Sequence, residues 1–177
     1  MNANEKVFVM LKPDCQIRGL TGKIISMFEN VGLKIVDMKL IMATREQAEK
    51  HYPNSDEWLI SVGNKSLTFY KENNLNPADF FTDISPKGVG IEIKKHLVNY
   101  LTMGPMIAIS FSGYEAIKVA RKVAGATVPV NAEMGSIRGT YSNDNPVSSA
   151  MEKRCIYNLV HVSDSPEAVA DEMKIWM

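Results

Sequence analysis

Hydrophobic and polar positions follow two different periods along the chain, and these periods divide it into strands and helices. Short continuous apolar runs at residues 6–11 and 106–111 predict strands that are covered on both faces. Residues 33–42 alternate in polarity and predict a strand whose apolar side chains share one face. A fourth strand is predicted over residues 154–160, so the pattern indicates four strands in all.

Apolar side chains at three- to four-residue spacing predict helices between these strands. Thr44 and Gln47 form a capping-box signal, and Ser165 followed by Pro166 is a second helix start. The predicted helices span residues 20–31, 44–52, 89–101, 115–124 and 166–176.

The order of these elements indicates the fold class. Two β-α-β units in one short chain predict an α+β, ferredoxin-like βαββαβ fold with an antiparallel sheet and helices on one face. Residues 1–177 are expected to form a single domain, in which residues 53–96 are a largely helical insertion. Residues 125–153 show little periodicity and are expected to be a long, functional loop.

Composition excludes several classes of function. Twenty basic and twenty acidic side chains leave no net charge, which argues against a dedicated nucleic-acid surface. Two cysteines and three scattered histidines suggest neither a disulfide framework nor a protein metal site. No signal peptide or transmembrane run is recognisable, so a cytoplasmic protein without a membrane contact is expected.

The segment around His161 has the layout of a reactive site. An apolar run ends in this histidine, and a polar cluster and the helix start at Ser165 follow at once. This layout presents a nucleophile or a base to an anionic ligand. A half-buried structural histidine would produce the same pattern, so the segment alone leaves both interpretations open.

Residues far from His161 could complete an anion site. Two guanidiniums, an ammonium, a hydroxyl and an amide would suit a triphosphate if they converged, although each alone is compatible with an ordinary surface residue. Glu172 lies eleven positions after His161 and could orient its ring, or it could be a solvated carboxylate on an amphipathic helix. No P-loop, GxSxG or HExxH motif occurs. The candidate anion ligands are Lys12, Arg121, Thr127, Arg138 and Asn158.

Several motifs in a fixed order resemble those of the nucleoside diphosphate kinases. They cover most of the chain outside residues 53–96 and 141–153. The matching segments are Lys12-Pro13-Asp14, Arg18-Gly19-Leu20, His51-Tyr52, Gly104-Pro105, Gly135-Ser136-Ile137-Arg138-Gly139, the eight residues 158–165, and Glu172 followed by Trp176.

The resemblance implies a ping-pong transfer of the γ-phosphate of ATP, or of another nucleoside triphosphate, to a nucleoside diphosphate. His161 would carry the phosphate on Nδ1, Glu172 would orient the ring and Ser163 would support that arrangement. Mg²⁺ would bridge the phosphates, with no protein metal ligands, and a homo-oligomer is implied. The phosphate- and sugar-contacting positions of the family fall on Lys12, Tyr52, Arg121, Thr127, Arg138 and Asn158, and Trp58 is the candidate that stacks on the base.

Some positions depart from the family pattern. Cys15 and Val162 replace smaller residues, and the β-branched Val162 is expected to stiffen the segment next to His161. Insertions follow Tyr52 and Arg138. Two alternatives therefore accompany the enzyme hypothesis: a nucleotide-binding or assembly module that has lost catalysis, and an unrelated ligand-sensing domain of the same fold.

Overall fold

A four-stranded antiparallel sheet forms the centre of the molecule. The computed structural model describes residues 5–177. The strands are β1 (Glu5–Leu11), β2 (Lys34–Ile41), β3 (Met106–Gly113) and β4 (Val160–Val162), in the spatial order β2-β3-β1-β4. This arrangement confirms the predicted ferredoxin-like fold class.

Helices connect the strands and build the insertion. Two short 3₁₀ turns lie at residues 77–79 and 129–131. The helices are α1 (Pro13–Ile17), α2 (Thr21–Asn30), α3 (Arg45–His51), α4 (Asp56–Glu72), α5 (Pro86–Thr102), α6 (Ala116–Ala124), α7 (Ile137–Tyr141), α8 (Pro146–Met151) and α9 (Pro166–Trp176).

The two helix starts predicted from sequence are confirmed by their capping geometry. The Thr44 side chain accepts a hydrogen bond from the Gln47 backbone N–H, and the Gln47 side chain accepts one from the Thr44 backbone N–H. The Ser165 hydroxyl accepts a hydrogen bond from the Ala168 backbone N–H. Each cap satisfies donors that the first helical turn leaves without partners, and it therefore fixes the helix start locally.

Both faces of the sheet are covered by helices. Val7, Val9 and Leu11 on one face of β1 pack against α2 and α6. Phe8 and Met10 on the other face pack against α3, α5 and α9. The run from Val7 to Leu11 is fully buried because it is apolar on both sides. The structure thus adds a second helical layer to the single layer expected from sequence.

Strand β2 lies at the edge of the sheet and exposes an apolar stripe. Val36 and Met38 are each 49% exposed, and Leu40 is 71% exposed. The residues that the sequence pattern placed on one face are therefore on the surface of the chain.

Two sequence-based expectations are wrong in the region between β3 and α9. Residues 125–153 are not one loop, because Ser136 caps α7 and Asn145 forms a capping box that starts α8. The predicted strand 154–160 is replaced by the short β4. Leu159, with φ of 67°, breaks the extended conformation directly before it.

The predicted insertion contains a tightly packed helical hairpin of α4 and α5. A Cβ atom at Gly63 would overlap the carbonyl oxygen of Pro86, and one at Gly90 would overlap that of Leu59. Glycine at both positions lets the two backbones approach closely. Helix α5 then continues into the core, where Val98 and Leu101 are buried. The hairpin is thereby joined rigidly to the sheet.

Candidate active site

A cavity of about 690 Å³ lies between the α4–α5 hairpin and the segment that leads to β4. Eight of the ten site residues predicted from sequence line it, although they are spread over the whole chain. The eight are Lys12, Tyr52, Arg121, Thr127, Arg138, Asn158, His161 and Glu172. The structure therefore brings the predicted anion ligands together with the predicted nucleophile.

His161 is held on β4 with one ring nitrogen committed to Glu172. Its backbone pairs with Met10 of the central strand. The Nε2 atom lies 2.7 Å from Oε1 of Glu172, and the other carboxylate oxygen accepts a hydrogen bond from Ser163. The Ser163 hydroxyl is fully buried and also lies 3.3 Å from the Phe8 carbonyl oxygen. A carboxylate on Nε2 places the ring proton there, so the Nδ1 lone pair is left for a ligand.

Lys12 and Asn158 are joined at the polar end of the cavity. The Lys12 ammonium donates a 2.8 Å hydrogen bond to Oδ1 of Asn158, whose Nδ2 donates to the carbonyl oxygen of Thr127 at 2.9 Å. Burial, and then the neighbouring charge of Arg138, lower the pKa of Lys12 to about 8. The amine is still mostly charged at neutral pH, but its pKa lies only about one unit above that pH.

Arg138 supports the backbone around the site. Its guanidinium donates to the carbonyl oxygens of Asn158, Gly125 and Val160 at 3.1, 2.6 and 2.7 Å. Burial lowers the pKa of Arg138 to about 10, so it remains a cation at neutral pH. A guanidinium has five N–H donors, and the two that remain can serve an anion in the cavity.

Tyr100 of α5 completes the support of this end. Its hydroxyl accepts a hydrogen bond from the Asn158 backbone N–H at 3.1 Å, and the Lys12 ammonium lies 5.0 Å from the centre of its ring. The other face of the cluster is closed by Tyr157, which stacks on Tyr100 at 4.7 Å, and by Arg154 over the Tyr157 ring. Lys12 is thereby fixed by aromatic packing as well as by Asn158.

Backbone strain in this segment lies at Leu159. A left-handed conformation at a residue other than glycine costs on the order of 1–3 kcal/mol. The Lys12 N–H donates to the Leu159 carbonyl oxygen at 2.8 Å, and the Leu159 N–H donates to Oδ2 of Asp14 at 3.1 Å. Val162, by contrast, lies in β4 opposite Val9, where a β-branched residue is favoured. The fully buried Cys15 also fits its position.

The two remaining aromatic candidates have different surroundings. Tyr52 lines the cavity, and burial raises the pKa of its hydroxyl. Trp58 packs near Tyr52, with their ring centres 6.2 Å apart, but it is not among the cavity-lining residues. The apolar wall of the cavity is formed instead by Phe69, Phe80 and Phe81. This wall was not identified from the sequence. Its one local signal is the adjacent pair Phe80-Phe81, which lies in a segment without the periodicity of a helix.

His51 is a site residue to which sequence reasoning assigned no role. Its ring lies edge-on to that of His161, with centres 4.6 Å apart at 84°. Its Nδ1 accepts a hydrogen bond from the Trp176 indole at 3.3 Å. Burial, and then the proximity of His161 and Lys12, hold the pKa of His51 well below its usual 6.5. A neutral imidazole therefore lies directly against the predicted nucleophile.

Comparison with known proteins agrees with this geometry. The family model for nucleoside diphosphate kinase matches residues 5–60 and 87–177, which leaves residues 61–86 unmatched between the two parts. The unmatched segment is narrower than the insertion expected at 53–96. Among residues 5–177, no helix combines the length and apolar character needed to cross a bilayer.

Individual relatives support the same assignment. The nucleoside diphosphate kinase of Pyrobaculum aerophilum is 45% identical over 172 residues, which is 97% of this chain and 94% of that protein. A crystal structure of an NDP kinase from the same organism superposes with a TM-score of 0.94 at 43% identity, covering 98% and 96% of the two chains. A structure of the Borrelia burgdorferi nucleoside-diphosphate kinase, described as a transition-state mimic with bound vanadate and ADP, superposes with a TM-score of 0.74 at 28% identity. The match covers 98% of this chain and 86% of that chain. This chain belongs to the nucleoside diphosphate kinase family, enzymes that transfer phosphate between nucleoside triphosphates and nucleoside diphosphates.

Proposed function

We propose that His161 carries the transferred phosphate in a ping-pong reaction. The observation that supports this role is the 2.7 Å contact of its Nε2 with Glu172, which leaves Nδ1 unprotonated beside the cavity. Nδ1 attacks the γ-phosphorus of a nucleoside triphosphate, and an N–P bond forms. The bond from the γ-phosphorus to the bridging oxygen breaks, and the diphosphate leaves with that electron pair. The reverse step gives the phosphate to a second nucleoside diphosphate.

The cations of the cavity supply the charge that this reaction needs. Phosphoryl transfer depends mainly on positioning and on neutralising the phosphate oxygens. Lys12, Arg121 and Arg138 provide three positive charges in one cavity. The hydroxyl groups of Tyr52 and Thr127 and the amide of Asn158 add neutral donors for phosphate and sugar oxygens.

We propose that Mg²⁺ enters with the nucleotide. Mg²⁺ prefers oxygen ligands in an octahedron. Within residues 5–177, the cluster with metal-ligand potential is His51, His161 and Glu172, in which two of the three ligands are nitrogen donors. These residues do not fit a protein cage for Mg²⁺. The ion would therefore be held by phosphate oxygens, and it would neutralise part of their charge.

The base is proposed to bind against the phenylalanine wall. Phe69, Phe80 and Phe81 offer aromatic faces inside the cavity, whereas Trp58 lies outside its lining. Since stacking tolerates every base, this wall suits broad specificity. In steady-state kinetics we expect Phe81→Ala to raise KM for the nucleotide and to leave kcat nearly unchanged. If Trp58→Ala raised KM and Phe81→Ala did not, Trp58 would be the residue that stacks on the base, as expected from the sequence.

A homo-oligomer is proposed from the edge strand β2. Its outer backbone edge, which pairs with no other strand among residues 5–177, and the exposed stripe of Val36, Met38 and Leu40 favour contact with a second copy. Sedimentation should give a mass above the 19.7 kDa of one chain, and Leu40→Glu should lower it. A wild-type monomer would disprove the assembly. A cytoplasmic location is proposed as well, because Cys15 and Cys155 are free thiols.

The phosphate carrier can be tested directly. Incubation with γ-³²P-ATP and Mg²⁺ should label the protein with acid-labile, base-stable phosphate, and the label should pass to added GDP. His161→Ala should abolish labelling. Glu29→Gln, which changes an exposed residue of α2 outside the cavity lining, should be labelled like the wild type. Equal labelling of His161→Ala would exclude this mechanism. An unlabelled wild type that binds nucleotide would instead favour a module that has lost catalysis.

A further inference from the structure

The nucleophile lies in a cluster whose composition suits a transition metal. His51, His161 and Glu172 each offer a ligand atom, and these atoms lie within 4.8 Å of one another. Two imidazoles and one carboxylate form a ligand set that catalytic zinc sites use. A metal bound there would occupy His161 and prevent it from carrying phosphate. A feature that keeps such metals away would therefore preserve the reactivity of His161.

Trp176 controls which nitrogen of His51 carries a proton. The Trp176 Nε1–H lies 3.3 Å from Nδ1 of His51. An indole nitrogen can only donate, so Nδ1 must be unprotonated and the neutral ring must carry its proton on Nε2. The lone pair of one nitrogen is then occupied by the indole, and the other nitrogen is blocked by its proton. Neither ring nitrogen of His51 offers a free lone pair to a metal.

The indole is held firmly in this position. Trp176 is the last residue of α9 and is 2% exposed. Its ring lies edge-on to His51, with centres 5.7 Å apart, and Gln47 of α3 donates a hydrogen bond to the neighbouring Ile175 carbonyl oxygen. A metal on Nε2 of His51 would require the proton to move to Nδ1, which would set two N–H groups against each other.

We propose that Trp176 protects the active-site histidine from Zn²⁺-like metals by holding His51 in this tautomer. Metal binding at the cluster depends only on the three ligands and their protonation states, and not on whether His161 carries phosphate. The effect of the bound metal on catalysis rests on the proposed function of His161. The two parts can therefore be tested separately.

Binding of Co²⁺ to the metal-free protein, without nucleotide, tests the first part. Trp176→Phe keeps an aromatic ring but removes the donor, and we expect it to bind one Co²⁺ about tenfold more tightly than the wild type, which corresponds to loss of one hydrogen bond. Trp176→Phe combined with His51→Gln should return to wild-type binding. Trp58→Phe, which changes the only other tryptophan, should leave Co²⁺ affinity unchanged. Thermal melting verifies that each variant is folded.

Equal Co²⁺ affinity of folded wild type and Trp176→Phe would overturn the proposal, as would tight binding that survives His51→Gln. The second part uses enzyme preloaded with Zn²⁺ and then given excess Mg²⁺ and labelled ATP. Trp176→Phe should lose phosphohistidine formation at about tenfold lower Zn²⁺ than the wild type. If Co²⁺ binding tightens but Zn²⁺ leaves labelling intact, the metal site is supported and the inference that a metal there blocks His161 is refuted; the role of His161 itself is decided by the labelling of His161→Ala.

Discussion

The lowered pKa of Lys12 predicts that nucleotide binding and proton binding are coupled above neutral pH. Lys12 is 6% exposed and lies near Arg138, and its pKa is about 8 without ligand. Its amine is then about 90% charged at pH 7 and about 10% charged at pH 9. A bound phosphate next to the amine favours the charged form, so the pKa of Lys12 must rise in the complex.

The size of the coupling follows from these values. At pH 8.5 about a quarter of free Lys12 is protonated, whereas nearly all of it is protonated in the complex, so ADP binding should take up roughly 0.7 proton. Proton uptake means that affinity falls as pH rises. The Kd for ADP should therefore increase up to about tenfold for each pH unit above the pKa of free Lys12.

Isothermal titration calorimetry measures this uptake. The apparent binding enthalpy at pH 8.5 is compared in two buffers with different ionisation enthalpies, and the slope gives the number of protons. The β-phosphate of ADP is fully ionised at this pH, so it adds no proton of its own. Lys12→Arg keeps a permanent charge and should show little uptake. Uptake below about 0.2 proton in the wild type, or equal uptake in Lys12→Arg, would refute the reasoning.

Three further predictions concern the His161 ring, the ion pair of Asp144 with Arg154, and the α4–α5 hairpin. Glu172→Gln should slow phosphohistidine formation in rapid-quench experiments by about 10²-fold without loss of nucleotide affinity, and a change under threefold would contradict its orienting role. Asp144→Ala should lower the free energy of unfolding in urea at pH 7 by about 3 kcal/mol because the half-buried Arg154 loses one of its two carboxylate partners and the Tyr157 backbone N–H loses its acceptor, whereas the exposed Asp171→Ala should cost under about 0.5 kcal/mol. Burial opposes ionisation of Asp144, but hydrogen bonds led by Arg154 lower its pKa overall, so this difference should be present above pH 3.8 and shrink below it. Gly63→Ala should destabilise the protein and raise nucleotide KM, whereas Gly22→Ala, at a position with open space around it, should stabilise the protein by about 0.5–1 kcal/mol. Equal melting temperatures of the two variants would contradict the close packing at Gly63.

Local sequence signals were sufficient for most of the fold. The apolar run of β1 and the caps at Thr44 and Ser165 act through neighbouring residues, so they could be interpreted without tertiary contacts. The capping box at Asn145 was equally local and would have located α8. The shortness of β4 was not predictable, because Leu159 is held in its strained conformation by Asp14, which is 145 positions away.

The candidate site shows the same division between local and distant information. Most of the polar residues could be assigned because they lie in motifs shared with the family, whereas Arg121 and Thr127 lie outside those motifs. The phenylalanine wall could not be assigned from sequence, because the fold of residues 61–86 decides whether Trp58 or the phenylalanines face the cavity. The position of His51 next to His161 could not be predicted for a related reason. Its neighbour Trp176 lies 125 positions away, and no pattern along the chain links the two residues.

Helix α5 connects the two ends of the cavity mechanically. Its middle turns carry Ile93 and Leu97, which line the cavity, and its last turns carry Tyr100, which supports Lys12 and Asn158. Seventeen residues make a rod about 25 Å long, so a tilt of about 4° displaces one end by nearly 2 Å relative to the other. Under the proposed binding mode, a base that shifts the hairpin would therefore also shift the support that Tyr100 gives to the Lys12 ammonium.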